Sequence, residues 1–543
     1  MSDTFTESLA ITLSLTIGDK TFSIAGGNVK SLTLNLYSYG YDGEIGFIVF
    51  CEDEEDKLLT PITGNNLITV TLKVENNEVD NDEDTAKPLN LTGLVTRRHF
   101  TEKLVELPEN KNKLIYRYYH LLIADSAQVL WKQHYPCDLF IDSTLKKLIT
   151  AHTPTQISMV YDWNEVLEIQ YPVLSLSLGS TLNKASFYDY IIWLVDTLNG
   201  VFSYDFENNK YTLSAAKNQL GDPQSLDPLE VAHSEVNLPA VHRYQPHVLN
   251  AHSENSKDTA ITNSDVTTKI RRDYIACYTI PADMQARVNL ETARFKQYLH
   301  EVNLDYQHFQ FHVTPPGKLV DFQNDPLWSS LLFFQANQYR VKEWYLTAQT
   351  ANKELTLGLE ILYGNYEIKH RLVLESSDEL SVSLPTYLKP SYPFYVEGKI
   401  VSETGKDKDM TYQFHTDSDT SVNYFKVSIP LWDKKNVRVA YQPNDDGGQF
   451  YFPPYKDARV LIGLEFNSAF ISSFLNWGTG TALPLDSQGN QIVMGTSTTS
   501  QNIIKHSYVD SKPELQIQRT QDKDTELIQF SDGYILLQTL QTK

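Results

Sequence analysis

The sequence predicts a mainly β protein with small helical insertions. Three observations predict it: apolar and polar residues alternate at period two along most of the chain, helical spacing is confined to short stretches, and turn-forming Gly, Asn and Asp separate the alternating runs. Residues 9–17 show the alternation first, with Ile11, Leu13, Leu15 and Ile17 set against Thr12, Ser14 and Thr16 as on a strand with one buried face. Acidic Asp3 and Glu7 stand where a signal peptide would carry basic residues, so this run reads as a first strand. Residues 29–36, 67–74, 113–123, 211–215, 355–362 and 425–429 repeat the pattern with β-branched and aromatic side chains. A helix is expected at residues 186–198, where Phe187, Tyr190, Ile191, Leu194, Val195 and Leu198 recur at helical spacing behind a Ser186 cap. Shorter helices are expected at 143–151 and 289–300.

At 543 residues the chain has room for several folding units, taking about 150 residues for each. Leu384-Pro385, Lys389-Pro390 and Tyr392-Pro393 interrupt both ladders and helices, which places a boundary within residues 375–393. The expected division is 1–380, 381–480 and 481–543. Short strands and turns such as Asp445-Asp446-Gly447-Gly448 fit the middle segment to a five-stranded OB-fold barrel, with Val427, Trp432, Val437, Val439, Val460 and Ile462 as its core. In the last segment, strand-like runs at 491–494, 514–518, 526–530 and 534–540 carry apolar residues on a piece of about 60 residues, too short to bury a core alone. Three copies wound into an intertwined β-prism or β-helix needle would bury Ile492, Leu515, Ile517, Ile528 and Phe530 and pair the sheet edges.

Lys and Arg number 46 against 68 Asp and Glu, and the resulting charge of -22 repels phosphate backbones and anionic lipid, so neither nucleic acid nor a membrane surface is an expected partner. Cys51, Cys137 and Cys277 form no CxxC pair, which fits a reducing cytoplasm. No uncharged apolar run reaches about 18 residues, so no transmembrane helix is expected.

The sequence contains no GxxxxGK[ST], GxGxxG or GxSxG, which removes the common phosphate cradles and the nucleophile elbow. His308 and His312 have the spacing of two ligands on one helix face, but Phe309 and Phe311 alternate as in a strand and no Glu follows His308. Asp80, Asp82 and Asp84 begin like a calcium loop, yet Thr85 and Leu91 occupy the positions of its glycine and bidentate glutamate, leaving an acidic hairpin tip. Tyr188, Tyr190 and Trp193 read as packing aromatics and not as a sugar platform. No catalytic residue, metal or cofactor is therefore expected.

Three stretches carry a family resemblance. The first is Leu121-Leu-Ile-Ala-Asp-Ser-Ala-Gln-Val-Leu-Trp131 with Phe140-Ile-Asp-Ser-Thr-Leu-Lys-Lys-Leu-Ile149. The second is Ser186 to Phe206 with Lys210-Tyr-Thr-Leu213, a helix, a glycine stop and two aromatic strands. The third runs through Phe425-Lys-Val-Ser-Ile-Pro430, Val437-Arg-Val-Ala-Tyr441, Phe452-Pro-Pro454 and Ala458-Arg-Val-Leu-Ile462 to Asn476-Trp-Gly478. Together they resemble VgrG, the fused hub and spike of type VI secretion, itself similar to the baseplate hub and central spike of contractile-tailed phages. Asn467-Ser468-Ala469 replaces the family's Gly-Asp-Pro turn and the needle is short, which is more similar to the spike of extracellular contractile injection systems of the antifeeding-prophage or virulence-cassette kind.

The resemblance implies a non-enzymatic homotrimer. Residues 1–380 would form phage-hub-like tandem β-barrels whose trimer presents six similar surfaces to a hexameric tube. The OB barrel would be a collar, and the needle would seat a PAAR-type tip protein through Leu536, Leu537 and Leu540. Tube and baseplate proteins are the further partners, with room for effector cargo, and the target membrane is met only on firing. The producing cell's cytoplasm is the expected location, with later release in an assembled particle. The rival readings are the hub of an intact phage tail, a secreted glycan-active enzyme and a glycan-binding adhesin.

Overall fold

The computed structural model describes the chain apart from residues 1–4, 52–55, 78–86, 107–112, 218–219, 323–325, 353, 355, 407–410, 419–420, 422, 441–454, 477–489, 498 and 542–543. The acidic tip at Asp80, Asp82 and Asp84, the turn at 445–448 and the segments 452–454 and 478–485 lie outside the described residues. The chain is mostly strand and separates into two compact units: Met1–Tyr135 with His152–Leu167 and Lys184–Pro390, and Pro136–Ala151 with Glu168–Asn183 and Ser391–Lys543.

The first unit is organised by a 13-stranded sheet. Eight antiparallel strands form a hydrogen-bonded ring in the order Phe5–Ile17, Ile68–Asn76, Leu89–Glu106, Lys113–Ala124, Gly40–Cys51, Val29–Tyr37, Tyr339–Thr350, Tyr363–Ser376. The ring returns to its start where Phe5 to Ala10 pair with Ile368 to Tyr363. The alternation at the amino terminus sets this register, because Leu9, Ile11, Leu13, Leu15 and Ile17 are all buried, and Leu13 continues across the sheet into Leu72 and Leu91.

The helix Phe187–Leu198 forms where the spacing predicts it. Ser186 Oγ accepts from the Asp189 amide while the Asp189 carboxylate accepts from the Ser186 amide at 2.8 Å, a reciprocal cap that satisfies two otherwise orphaned donors. Asn199, at φ 59°, ends the helix, and Gly200 follows because a Cβ there would lie 2.4 Å from the Trp163 ring. The strands Val201–Asp205 and Lys210–Ser214 then pair as the aromatic hairpin that the resemblance implies.

Three expectations are corrected. Residues 356–362 form a turn and not a strand, because Gly358 and Glu360 take the left-handed values φ 71° and 61°, which no ladder accommodates. The helix expected at 289–300 is Pro281–Arg294: Pro281 sets its first turn, and Met284, Val288 and Glu291 are its buried residues. The strand expected around His308 and His312 is absent. His308 Nδ1 meets Glu7 Oε2 at 3.0 Å, while the His312 carbonyl accepts from Gln224 Nε2, so the two histidines serve separate contacts.

His370 illustrates the cost of burying a titratable ring. It packs among Tyr306, Phe309 and Trp344, donates from Nδ1 to the Tyr345 carbonyl at 2.9 Å, and burial pushes its pKa down to about 4. The folded state therefore binds this proton less readily than the unfolded chain. The stabilising contribution is complete above the ordinary histidine value of 6.5 and is lost as pH falls toward 4. We expect His370→Gln to remove about 3 kcal/mol of the acid-dependent loss between pH 7 and pH 4, read as a shallower fall of melting temperature than in the unmodified protein.

The second unit contains a six-stranded sheet of Phe394–Val401, His415–Thr416, Asn423–Ile429, Lys435–Ala440, Arg459–Leu464 and Ala469–Asn476. Its core is one cluster that includes Ile400, Val427, Val437, Val439, Val460 and Ile462. Leu139 and Val173 belong to the same cluster, brought in by the hairpin Cys137–Thr144 with Gln170–Ser177. The hairpin is pinned there by Ser175, whose amide donates to the Phe466 carbonyl at 3.0 Å and whose carbonyl accepts from the Tyr392 hydroxyl at 2.9 Å. A contiguous division at residue 380 misses this excursion. The apolar face of the hairpin is covered by residues more than 200 positions away, a pairing that no local pattern encodes.

Candidate assembly surface on the C-terminal sheet

A five-stranded antiparallel meander follows the six-stranded sheet: Asn490–Ser497, Ser500–Val509, Lys512–Gln521, Asp524–Ser531 and Tyr534–Leu540. Tight turns make consecutive strands neighbours, and left-handed residues supply them: Asp510 and Ser511 in one turn, Asp522 in the next and Gly533 in the last.

Register then sorts the side chains, because directly paired residues share a face and neighbours along a strand alternate. Ile492 pairs with Ile504, Ile504 with Ile517, Ile517 with Ile528 and Ile528 with Leu537, giving a row of branched side chains straight across the sheet. A parallel row on the same face runs from Leu515 to Phe530 to Ile535. These are the residues of an apolar core, yet Ile517 is 42% exposed and Leu537 74% exposed in the single chain. Burying the part of each that is still exposed would contribute about 0.5–2 kcal/mol.

The opposite face is largely polar. Glu514, which is buried, accepts from Gln516 Nε2 at 2.7 Å, Gln529 Nε2 at 2.6 Å and Ser531 Oγ at 2.7 Å. This network saturates the carboxylate with neutral donors and leaves the two faces of one sheet chemically distinct.

All five residues expected in the needle core, Ile492, Leu515, Ile517, Ile528 and Phe530, lie on the apolar face. Sequence reading misses Ile504 because the strand Ser500–Val509 is interrupted by Lys505, His506 and Ser507, and only the register shows that it bridges Ile492 to Ile517. The three leucines expected at the tip all lie on the last strand but do not converge: Leu537 is on the apolar face, while Leu536 and Leu540 are on the other. Among the described residues this strand pairs only with Asp524–Ser531, so its outer edge is open, and no charged side chain lies along it. In the sheet of residues 394–476, Val427, Val437, Val439, Val460 and Ile462 are buried together, and Trp432 packs against their cluster from a turn, its ring 6.2 Å from Phe394.

Among the described residues no group of three or more His, Cys, Asp or Glu side chains could hold a metal ion, and no helix is long and apolar enough to cross a membrane. No protein-family model and no curated protein sequence matches the chain. Solved structures do. A chain of the PdpA-VgrG complex in its lidless form superposes with a TM-score of 0.69 at 13% identity, over 98% of this chain and 98% of that one. The fold is VgrG-like. The half-lidded Francisella PdpA-VgrG complex gives a TM-score of 0.69 at 13% identity, over 98% of this chain and 88% of that one. The lidded Francisella complex gives 0.68 at 13% identity, over 98% and 80%. The VgrG-like fold thus spans the chain from the strand ring to the terminal meander, with far less identity than its shape would suggest.

Proposed function

We propose that this protein is the structural hub and spike of a contractile injection apparatus, working as a homotrimer and without catalysis. The observation that carries the reading is the terminal sheet: a row of Ile492, Ile504, Ile517, Ile528 and Leu537, all but Ile504 exposed to solvent, in a VgrG-like fold. Two further copies are the simplest cover, since a threefold arrangement lets identical apolar faces meet around one axis. The strand order of the second unit, with Phe394–Val401 between Asn423–Ile429 and Arg459–Leu464, supports reading it as the OB-type collar. The ring of the first unit supports its role as the hub that meets tube and baseplate proteins.

The open edge of Tyr534–Leu540 is the seat for a PAAR-type tip protein, and effector cargo and the target membrane come into play only in the assembled machine. The machine is of the extracellular contractile injection kind, made in the cytoplasm and released as a particle. Negative-stain images of the purified protein should show a tapered threefold particle with a light-scattering mass of three times 62.0 kDa. A monomer of rounded outline would overturn the reading, and polysaccharide turnover by that monomer would favour a glycan-active enzyme. Ending the chain after Gly533 should abolish capture of the tip protein while leaving the mass trimeric; capture at unchanged affinity would remove the last strand from the tip site.

A further inference from the structure

A cavity of about 250 Å³ opens in the first unit, where the end of the helix Phe187–Leu198, the strand Arg271–Ala276, the end of the helix Pro281–Arg294 and residues 381–384 come together. Its lining is chemically uneven. The two acids that face it are already engaged: Glu291, 2% exposed, is held by Arg287 at 2.6 Å and Arg294 at 3.3 Å, and Asp196 accepts from the Tyr387 hydroxyl at 2.6 Å.

Two cations on the same lining make no ion pair with a carboxylate among the described residues: Glu291 acts on Arg272, and Glu379 on Lys296, by charge at longer range. Arg272 donates only to the Tyr244 hydroxyl, at 3.4 Å, and its guanidinium lies 5.6 Å from the Tyr244 ring and 5.4 Å from the Tyr274 ring. Lys296 Nζ donates to the amide oxygen of Asn199 at 3.1 Å, and burial, followed by the charge of Lys217, pushes its amine down from the ordinary lysine value. The half-buried ammonium of Lys296, hydrogen-bonded by an amide oxygen, is incompletely compensated, and the exposed guanidinium of Arg272 on the same lining is held by aromatic groups. In a chain of net charge -22 the scarcity is of cations and not of acids, so two of them that make no ion pair at one cavity leave a place for an anion from outside.

The remaining walls are flat. Phe295 stands edge-on to Tyr244 at 5.8 Å, and His242 lies 5.3 Å from both Tyr244 and Tyr298. Aromatic walls of this kind stack planar groups, and the guanidinium plane of Arg272 extends them. The volume falls below the roughly 300–1,000 Å³ of sites for drug-sized ligands, so it suits one ring and its substituent.

We infer that this cavity binds a planar carboxylate, with Arg272 and Lys296 receiving the carboxylate and the Tyr244, Tyr274 and Phe295 rings receiving the flat body. The same chemistry is presented by a free aromatic acid and by the C-terminal phenylalanine of a partner chain.

The test is calorimetric titration of the full-length protein with benzoate and, in parallel, with the uncharged benzamide. Benzoate should bind saturably and benzamide on the order of tenfold more weakly or not at all. Arg272→Gln and Lys296→Gln should each weaken benzoate by about tenfold without moving the melting temperature. Arg271→Gln, which removes the neighbouring arginine that pairs with Asp258 and Asp273, should leave binding unchanged. Equal binding of the two probes, absence of saturable benzoate binding, or full affinity in both cavity variants would overturn the inference. A Gly-Gly-Phe peptide that displaces benzoate only when its carboxylate is free would identify a chain terminus as the source, and failure to displace would identify a free aromatic acid. Because none of these readouts depends on the oligomeric state, failure here leaves the spike reading standing, and the reverse also holds.

Discussion

Ile517→Asp should turn a three-chain particle into single chains. Ile517 is the midpoint of the apolar row, flanked directly by Ile504 and Ile528. In a threefold spike the substitution places three carboxylates around one axis. Each would be taken from water at several kcal/mol per ion, and each would also forfeit the roughly 1 kcal/mol that covering the exposed part of the isoleucine contributes. In the proposed spike the register carries the substituted side chain onto the face that the other copies cover, and the cation on that face two positions on, Arg519, is already paired with Glu526. The light-scattering mass should fall from three times 62.0 kDa to 62.0 kDa, while circular dichroism and the main melting transition persist. Gln518→Glu, one residue away on the polar face, should remain trimeric. A trimeric Ile517→Asp protein would mean that the terminal sheet does not hold the chains together.

The second large effect is expected far from that surface. Asp125 is fully buried, and its carboxylate accepts from the Tyr211 hydroxyl at 2.6 Å, the Gln128 amide at 3.0 Å, the Gln128 side chain at 2.7 Å and the Tyr41 amide at 3.1 Å. It thereby caps the helix Ser126–Trp131 and ties it to the strands Gly40–Cys51 and Lys210–Ser214. Burial pushes its carboxyl above the usual range, against the pull of these donors. Asp125→Ala strands several buried N–H and O–H groups, each costing about 1–3 kcal/mol, and we expect the first unit to lose about 3 kcal/mol in urea unfolding. Asp125→Asn keeps one acceptor oxygen and should lose about half as much. A loss below about 1 kcal/mol for the alanine variant would show that water replaces the carboxylate.

These two sites differ in how they read from the sequence. Asp125 follows a strand that reads from local alternation, but the helix Ser126–Trp131 that it caps is not among the helices expected from spacing, whereas the Ser186 cap, the alternation at residues 9–17 and the five needle residues are local. What failed to read locally failed for identifiable reasons. Residues 356–362 look apolar and strand-like, but their backbone passes through two left-handed positions. The start of the helix at Pro281 is marked by a proline, which also marks loops, and the strand containing Ile504 loses its alternation among Lys505, His506 and Ser507.

By itself, the order of side chains along the chain determined the β character, the cap of the helix Phe187–Leu198, and an apolar surplus in the last 50 residues that one chain does not cover. These are consequences of period and composition, which act over a few residues. Only the tertiary structure decided that the strands close into a ring, that Leu139 and Val173 complete a core otherwise built after residue 390, that Ile504 joins the apolar row while Leu536 and Leu540 leave it, and that Arg272 and Lys296 line one cavity. The physical reason is common to all four. Each depends on a partner on another element, from the next strand to hundreds of residues away, and the free energy that selects that partner comes from burial and hydrogen bonding, which exist only once the chain has folded.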